Sequence, residues 1–284
     1  MAILANRQLV AAPSPGPMRY GLFSAATVTE DLEARSIAAG FQFPAEDCGV
    51  VRPYDANCAT NPAKTFDEGQ EYVGGDPYWV YATRQCGTLG VTPVEFRSSV
   101  RRRLLANEQH AVEAQLWGVA GGLAVDPQLT TATGVTTVTP SAPGSGAAIA
   151  ALEESFYDEY GYVGTIHINT RAYANLAYGQ LLVRNGGTLN TPMGSVWSIG
   201  SGYGVNGPAD DAPDAGTVWA FMTPPVLVRR SAVIDNDPWE TADRAVNQFT
   251  GLAERVYAHA WTCDVVHAVQ VPVASPAVEA VTTP

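Results

Sequence analysis

The residues of this chain that could carry chemistry are few, and they do not form a catalytic pattern. Gly202–Gly207 has the G-x-G-x-x-G spacing of a dinucleotide-binding loop. Such a loop must open a helix at its last glycine, but Pro-Ala-Asp-Asp follows here, so we interpret these glycines as turn residues. The sequence also contains neither the G-x-S-x-G motif of hydrolases nor the G-x-x-x-x-G-K-[ST] loop that binds phosphates.

Histidines and acidic residues also lack a recognisable pattern. The four histidines, none in an H-E-x-x-H motif, are His110, His167, His259 and His267. We interpret His167, inside the strand-like Thr165–Asn169, as a hydrogen-bonded strand residue rather than a general base. Two acidic runs lack EF-hand spacing and are interpreted as solvated loop acids. They are Asp210, Asp211 and Asp214, and Asp235 and Asp237. The sequence predicts no enzyme activity, no metal and no cofactor.

The four cysteines match no zinc or C-x-x-C spacing. They are Cys48, Cys58, Cys86 and Cys263. A disulfide between Cys48 and Cys58, or between Cys58 and Cys86, is geometrically conceivable. Because no secretion signal points to an oxidising compartment, we interpret all four as buried free thiols.

Charge and hydropathy exclude two classes of protein. The chain has 16 basic and 28 acidic residues, a formal net charge of −12, which argues against a protein whose main work is gripping phosphate backbones. No apolar run is long enough to span a membrane, and we expect synthesis in the cytoplasm. All cations but Lys64 are arginine. Arginine forms planar, bidentate ion pairs and therefore suits subunit interfaces, although a GC-rich genome would also favour arginine over lysine.

One long helix, Thr92–Gly118, is the strongest structural signal. Thr92, Pro93 and Glu95 form an N-terminal capping box with proline at the first helical position, and Gly118 supplies the stop. About twenty-five residues at 1.5 Å each make a rod of roughly 37 Å. Arg101–Arg103 are adjacent on this rod and fan over more than half its circumference. They form a solvated or internally paired face, contact acidic patches on neighbouring subunits, or contact packaged nucleic acid.

A polar excursion, residues 55–77, precedes this helix. We predict that extended segments on either side of it make a protruding hairpin. Lys64 lies near the tip. Its amine could form an isopeptide bond with an asparagine of another subunit beside a desolvated carboxylate, and a solvated loop lysine is the alternative.

The remaining segments predict an α+β protein with irregularly interleaved helices and strands. Residues 1–20 and the tail after Val271 read as extended arms. Helices are predicted around Glu30–Ala39 and at Ala147–Tyr160, Thr170–Val183 and Asp237–Asn247. The helix at Ala147–Tyr160 carries an apolar stripe of Ile149, Leu152, Phe156 and Tyr160. Strands are predicted at Phe41–Pro44, Gly49–Tyr54, Tyr78–Cys86, Gly134–Val138, Thr165–Asn169, Val196–Ile199, Val218–Met222 and Val226–Arg230. Leu252–Cys263 and Val265–Val271 are predicted to close the fold as an antiparallel pair.

This order of parts resembles the major capsid proteins of tailed bacteriophages, whose Hong Kong 97-like fold encapsulins share. The segments that carry the resemblance, most similar to capsid proteins of actinobacterial phages, are RRLLANEQHAVEAQLWG (102–118), YVGTIHINTRAYANL (162–176) and LNTPMGSVWSIGSGYGVNGP (189–208). The resemblance implies a major capsid protein that assembles into pentamers and hexamers of an icosahedral head around double-stranded DNA. The alternatives are an encapsulin-type shell or another virion component, such as a tail or decoration protein.

The resemblance also implies a division of the chain and a set of contacts. The parts are an N-terminal arm (1–45), an E-loop hairpin (46–91), a P domain (92–146 and 250–284, with the spine helix 92–118) and an A domain (147–249). The candidate inter-subunit contacts are Lys64, Asp67, Glu68, Glu71, Arg101, Arg102 and Arg103. The implied partners are further copies of the chain, a separate scaffolding protein, portal and decoration proteins, and DNA held non-specifically; no membrane is involved. The implied location is the virion, assembled in the host cytoplasm.

Overall fold

A computed structural model describes residues 16, 18–31, 33–45, 48, 72–87, 92–119, 122–243, 245–263 and 265–273. These ranges contain four α-helices: α1 (Leu22–Ala25), α2 (Pro93–Trp117), α3 (Ser145–Tyr160) and α4 (Tyr173–Tyr178). They also contain fourteen strands: β1 (Thr27–Asp31), β2 (Phe41–Pro44), β3 (Tyr72–Gly75), β4 (Tyr78–Gly87), β5 (Thr136–Thr137), β6 (Thr165–Asn169), β7 (Val183–Asn185), β8 (Thr188–Asn190), β9 (Val196–Gly200), β10 (Thr217–Thr223), β11 (Val226–Ser231), β12 (Ile234–Asp235), β13 (Gln248–Trp261) and β14 (His267–Pro272). The predicted α+β class is confirmed.

The long helix α2 has the ends that its sequence predicts. The Thr92 hydroxyl accepts a hydrogen bond from the Glu95 amide at 3.3 Å, and a Glu95 carboxylate oxygen accepts from the Thr92 amide at 3.0 Å. Gly118 ends the helix in the left-handed conformation at φ 80°. The capping box therefore sets the first turn and the glycine sets the last.

A five-stranded sheet is built around β13. At Tyr257, β13 pairs with Arg230 of β11 and with Tyr78 of β4, so these two strands lie on opposite edges. β12 pairs with β13 further along the β11 edge, and β1 pairs in parallel with β11. We call this the β13 sheet.

The N-terminal half of α2 packs on one face of the β13 sheet. The rings of Phe96 and Phe249 lie 5.9 Å apart, and Val100 and Leu104 are buried in the same cluster. Gly251 allows this approach, because a Cβ there would lie 2.8 Å from both the Phe96 ring and a Val100 methyl. The rod thus lies against the longest strand of the described chain.

A seven-stranded sheet, in the order β5-β14-β10-β6-β9-β8-β7, forms the second layer. One face packs against α3 and α4, where Ile149, Leu152 and Phe156 form the predicted buried stripe. The other face meets the C-terminal half of α2, with the Trp117 and Phe221 rings 5.0 Å apart. The rod therefore contacts both sheets.

The hairpin before α2 differs from the prediction. β2 pairs with β3 in antiparallel fashion, so the strand that returns from the loop is Tyr72–Gly75. β4, expected to close this hairpin, pairs along its length with β13 instead. The predicted strand Gly49–Tyr54 lies outside the described residues. The sequence analysis assigned Tyr72–Gly75 to the polar excursion, because Gly74 and Gly75 are unusual inside a strand.

A disulfide joins Cys48 to Cys263, with the two Cα atoms 5.6 Å apart. The interpretation of these two cysteines as free thiols is wrong, because the fold brings together residues that lie 215 positions apart. Cys86 is a half-buried free thiol, and Cys58 lies outside the described residues.

Two of the predicted helices are not helical. Around Glu30–Ala39 the chain forms β1 and a single 3₁₀ turn at Ala34–Ser36, since Thr27, Val28 and Thr29 favour an extended chain that can pair with β11. The described residues of Asp237–Asn247 form turns and no helix, and the Asp237 side chain accepts a hydrogen bond from the Trp239 amide at 2.9 Å.

Two further elements have different limits or partners. The helix predicted at Thr170–Val183 ends at Tyr178, because Gly179 and Gln180, at φ 55°, break it, and β7 begins at Val183. β14 pairs with β10 of the second sheet and not with β13, so the predicted closing pair is wrong. Alternation identifies a strand, but it does not identify the partner of that strand.

The continuity of α2 can be tested at Leu104, a buried residue in the middle of the helix. Leu104→Pro should lower the free energy of unfolding by about 3 kcal/mol or more, because proline removes one helical hydrogen bond and clashes with the preceding turn. Leu104→Met, which keeps the volume, should cost less than about 1.5 kcal/mol. Chemical denaturation measures both variants, and a proline variant as stable as the native chain would show that α2 is not continuous.

Candidate functional site

The exposed face of α2 carries a group of arginines, and most of them are held by the chain itself. Arg97 forms an ion pair with Asp235, and Arg101 lies 3.9 Å from the same carboxylate. Arg103 donates a hydrogen bond to the Thr83 carbonyl at 3.1 Å. The interpretation of Asp235 as a solvated acid is wrong, because β12 places its side chain, only 10% exposed, beside α2.

Arg102 differs from its two neighbours. It is exposed and forms no hydrogen bond or ion pair with the described part of the chain. The predicted fan of Arg101–Arg103 therefore separates into two internally bound side chains and one guanidinium without a partner among the described residues. The other candidate contact residues, Lys64, Asp67, Glu68 and Glu71, lie outside the described residues.

A neutral cluster of two arginines and two glutamates lies between α2 and the β13 sheet. Arg255 donates to both carboxylate oxygens of Glu108, at 3.1 and 3.2 Å, and to Glu30 at 2.9 Å. Arg230 completes the cluster at 3.1 Å from Glu30 and 3.4 Å from Glu108. The Arg255 and Glu108 side chains are 5% and 6% exposed. Removing one partner of such a buried pair costs about 3–5 kcal/mol, so the cluster serves structure.

Glu113 anchors the chain around Leu22 to the rest of the fold. Its two carboxylate oxygens accept hydrogen bonds from the Leu22 amide at 3.2 Å and the Gly202 amide at 3.1 Å. Burial raises the pKa of this carboxyl, and the two amides oppose the shift. The Tyr20 carbonyl accepts from the Ile199 amide at 2.8 Å. Tyr20 and Leu22 are thus tied to the second sheet and to α2.

The G-x-G-x-x-G segment packs against the same helix. A Cβ on Gly202 would lie 2.1 Å from the His110 carbonyl, and one on Gly204 would lie 2.7 Å from the Trp117 ring. The Trp117 indole N–H donates to the Asn206 carbonyl at 3.1 Å. The glycines therefore let a loop of the second sheet lie close against α2, as turn residues.

Two buried histidines are satisfied by structural hydrogen bonds. His167 shares hydrogen bonds with Tyr203 at 3.1 Å and Thr223 at 3.0 Å, as predicted for a strand residue. Burial lowers its pKa to about 3, and repulsion from His259 adds to the shift. His259 contacts the Tyr78 hydroxyl at 3.1 Å and the Pro127 carbonyl at 2.8 Å, and burial lowers its pKa to about 4.

An apolar surface that the sequence analysis missed lies on the face of the β13 sheet opposite α2. Trp79 and Tyr81 alternate with the buried Tyr78 and Val80 along β4 and are 48% and 66% exposed. Ile234 lies in the same row, since Ile234 and Tyr81 both pair with Glu254. Because successive side chains of a strand point to opposite faces, the sequence YWVY (78–81) could have predicted that Trp79 and Tyr81 lie on one face and Tyr78 and Val80 on the other.

The described residues lack a metal-ligand cluster and a membrane-spanning helix. They contain no group of three or more His, Cys, Asp or Glu side chains arranged to hold a metal ion. None of their helices is both long and apolar enough to cross a membrane.

Comparison with known sequences gave no relative. A scan against protein-family models and a search of curated proteins both returned no match.

Comparison of the fold gave matches over almost the whole chain. The capsid of an empty GTA particle aligns over 96% of this chain and 94% of its own, with a TM-score of 0.56 and 12% identity. A chain of Microbacterium phage Oxtober96 aligns over 95% and 96%, with a TM-score of 0.56 and 12% identity. The holo-SrpI encapsulin complex from Synechococcus elongatus PCC 7942 aligns over 96% and 98%, with a TM-score of 0.54 and 12% identity. At these identities the likeness is one of fold.

The buried histidines predict a loss of stability in acid. His167 and His259 stay neutral in the folded state, whereas unfolded histidine takes up a proton near its ordinary pKa of 6.5. Their contribution is fully present above pH 6.5 and falls as the pH drops toward about 4, by about 1.4 kcal/mol per unit for each histidine. Melting temperatures measured from pH 7 to 5 test this.

Substitutions assign that pH dependence to particular groups. The native protein should melt at a lower temperature at pH 5 than at pH 7, and His259→Gln should reduce the difference. The exposed His110 is the control, so His110→Gln should keep the full difference. Equal pH dependence in all three proteins would contradict the assignment.

Proposed function

We propose that this chain, which has the Hong Kong 97-like capsid fold, is a shell-forming capsid subunit, namely the major capsid protein of a tailed bacteriophage. Copies of it assemble into pentamers and hexamers of an icosahedral head around double-stranded DNA. The observation that carries the proposal is a fold likeness covering nine-tenths or more of both chains.

The physical character of the chain supports a structural role rather than catalysis. Among the described residues, the arginine–glutamate cluster is paired internally, Glu113 accepts hydrogen bonds from two backbone amides, and His167 is hydrogen-bonded to other side chains. A ring of subunits needs different, complementary patches on each copy. The exposed α2 arginine and the apolar row on β4 are two unlike surfaces of this kind.

Charge suggests how one copy contacts the next. Residues 46–71 contain six carboxylates and two cations, a net charge of −4, and include Lys64, Asp67, Glu68 and Glu71. In our proposal this segment of one copy lies against the arginine face of α2 of its neighbour, where Arg102 has no partner within the described chain. Electrostatic complementarity of this kind fixes register and discourages wrong pairings.

The division of the chain and its further partners belong to the same proposal. Residues 1–45 form the arm, 46–91 the E-loop, 92–146 with 250–284 the P domain, and 147–249 the A domain. In that division β14 and β5 are P-domain strands of a sheet whose other strands belong to the A domain. Scaffolding, portal and decoration proteins are the expected partners in the host cytoplasm, and the acidic net charge suits non-specific enclosure of DNA rather than tight binding.

An encapsulin-type compartment shell is the second candidate. It is favoured by the alignment of 98% of the encapsulin chain at a TM-score close to that of the phage chain. The contents of the shell distinguish the two functions, since a virion contains nucleic acid and an encapsulin contains a cargo enzyme.

Electron microscopy of the expressed chain tests the proposed function. We expect closed spherical shells, formed alone or with a separate scaffolding protein. Particles from infected cells should contain nuclease-protected DNA and this chain as their most abundant protein. Protein-filled shells without DNA would favour the encapsulin function. Tubes or rings, or a stable monomer, would contradict a shell subunit.

The contact at Arg102 can be tested by charge reversal. Arg102→Glu should leave the melting temperature of the unassembled subunit unchanged and reduce the yield of shells severalfold or more, because the Arg102 side chain has no partner among the described residues of its own chain and, in our proposal, contacts the neighbour. The control is Arg35→Glu, an equal change of charge at another exposed arginine, which should assemble normally. Equal shell yields from the two variants would rule out Arg102 as an assembly contact.

A further inference from the structure

Two Asn-Gly sequences occur in the chain, and the fold gives them opposite surroundings. They are Asn185–Gly186 and Asn206–Gly207. When glycine follows asparagine, the glycine amide can attack the asparagine side-chain carbonyl with little steric hindrance, because glycine has no Cβ. The sequence thus makes both asparagines chemically labile, and the fold decides which of them reacts.

Asn185–Gly186 lies at the turn between β7 and β8, on an edge of the second sheet. β7 is the last strand in the order of that sheet, and three pairs of residues join it to β8. Gly186 opens the turn at φ 57°, in the left-handed region that favours glycine. The turn therefore requires the same glycine that makes Asn185 labile.

Both reacting groups are unoccupied at this turn. Asn185, Gly186 and Gly187 are exposed. Neither the Asn185 side chain nor the Gly186 amide has a hydrogen-bond partner among the described residues. A Cβ added to Gly186 or Gly187 would meet no atom within 4 Å. Because a short edge hairpin opens locally at low cost, the Asn185 side chain can rotate toward the Gly186 amide.

Asn206–Gly207 is held on several sides. The Gly207 amide donates a hydrogen bond to the Asp211 carbonyl at 2.7 Å. The Asn206 side-chain amide donates to the Asp210 carboxylate at 2.8 Å, and the Asn206 carbonyl accepts from the Trp117 indole at 3.1 Å. The attacking amide is thus engaged and the side chain that it would attack is fixed.

We propose that Asn185 is a site of spontaneous covalent modification, where the folded protein converts asparagine to isoaspartate and aspartate, while Asn206 stays intact. The reaction consumes one water molecule and releases one ammonia, and it requires neither an enzyme nor a cofactor.

The modification proceeds through a cyclic imide. The Gly186 amide nitrogen loses its proton to hydroxide and attacks the Asn185 side-chain carbonyl carbon. The new C–N bond closes a five-membered ring, and the bond from that carbon to the side-chain nitrogen breaks, so that ammonia leaves with a proton from solvent. Water then opens the ring at one of its two carbonyl carbons. Attack on the former side-chain carbonyl gives aspartate, and attack on the backbone carbonyl gives isoaspartate.

Either product changes the hairpin. Both place a carboxylate where a neutral amide was. In isoaspartate the chain also runs through the side-chain carbons, which adds one carbon to the backbone between Asn185 and Gly186. Asn185 pairs with Thr188 in the last pair before the turn, so the added carbon disrupts that pair. The modified hairpin is therefore looser and more acidic than the native one.

Peptide mapping of the native folded protein tests the proposal. Trypsin cleaves after Arg184 and Arg229, so one peptide, residues 185–229, contains both asparagines and supplies its own control. After incubation at mildly alkaline pH, mass spectrometry with electron-transfer fragmentation should find Asn185 converted severalfold faster than Asn206, with isoaspartate among the products. Slightly acidic buffer should slow the conversion, because the attacking amide must lose its proton.

The same incubation in urea separates the effect of the fold from that of the sequence. Both asparagines precede glycine, so their rates should become similar once the chain is unfolded, chiefly because Asn206 reacts faster. Equal rates in the folded protein would overturn the proposal, and so would an unmodified Asn185. A difference between the sites that is as large in urea as in the folded protein would show that the fold does not select Asn185.

A pair of substitutions checks the assignment. Asn185→Gln should abolish the rapid conversion, because glutamine would have to close a six-membered ring, and it should leave the melting temperature unchanged. Asn206→Gln is the matched control and should keep the native rate at Asn185. Rapid modification of the 185–229 peptide in Asn185→Gln would overturn the assignment.

These measurements are independent of the proposed function, because none of them requires a particle. A chain that is modified at Asn185 but forms no shells would contradict only the capsid role. A chain that forms shells and keeps Asn185 intact would contradict only the modification.

Discussion

The packing of α2 on β13 is the interaction on which the other elements depend. β13 supplies the pairing edges for β4, β11 and β12, and α2 covers one face of that sheet with Phe96, Val100 and Leu104. Between them lies the cluster of Glu108, Arg255, Glu30 and Arg230, drawn from α2, β13, β1 and β11. Buried charges are tolerated only when paired, so the cluster favours the one arrangement in which these four elements meet.

The same helix carries this frame into the second sheet. The Glu113 carboxylate accepts hydrogen bonds from the Leu22 amide and from the Gly202 amide in the loop after β9. Trp117 packs on Tyr203 and Phe221. Because a single uninterrupted rod holds both sheets, a force on one sheet reaches the other without passing through a flexible linker. That property suits a subunit whose proposed task is to transmit contacts around a closed shell.

Local chemistry made part of this structure predictable. The Thr92–Glu95 capping box, the stop at Gly118 and the stripe on α3 each act within a few residues, so sequence reasoning located them. Non-local pairing escaped it. The parallel pairing of β1 with β11, the transfer of β14 to the second sheet and the Cys48–Cys263 bond all join positions that lie far apart. The sequence also could not show that Arg101 is bound and Arg102 is not, because the partner of Arg101 is the distant Asp235.

Hydrogen–deuterium exchange, measured on the unassembled subunit and on assembled particles, tests the central claim most directly. If the chain itself builds the frame of α2 and β13, amides in residues 100–117 and 249–261 are among the slowest to exchange before assembly, and assembly leaves their rates largely unchanged. Rapid exchange in α2 before assembly, followed by protection in particles, would contradict this account, because the rod would then depend on neighbouring copies to fold.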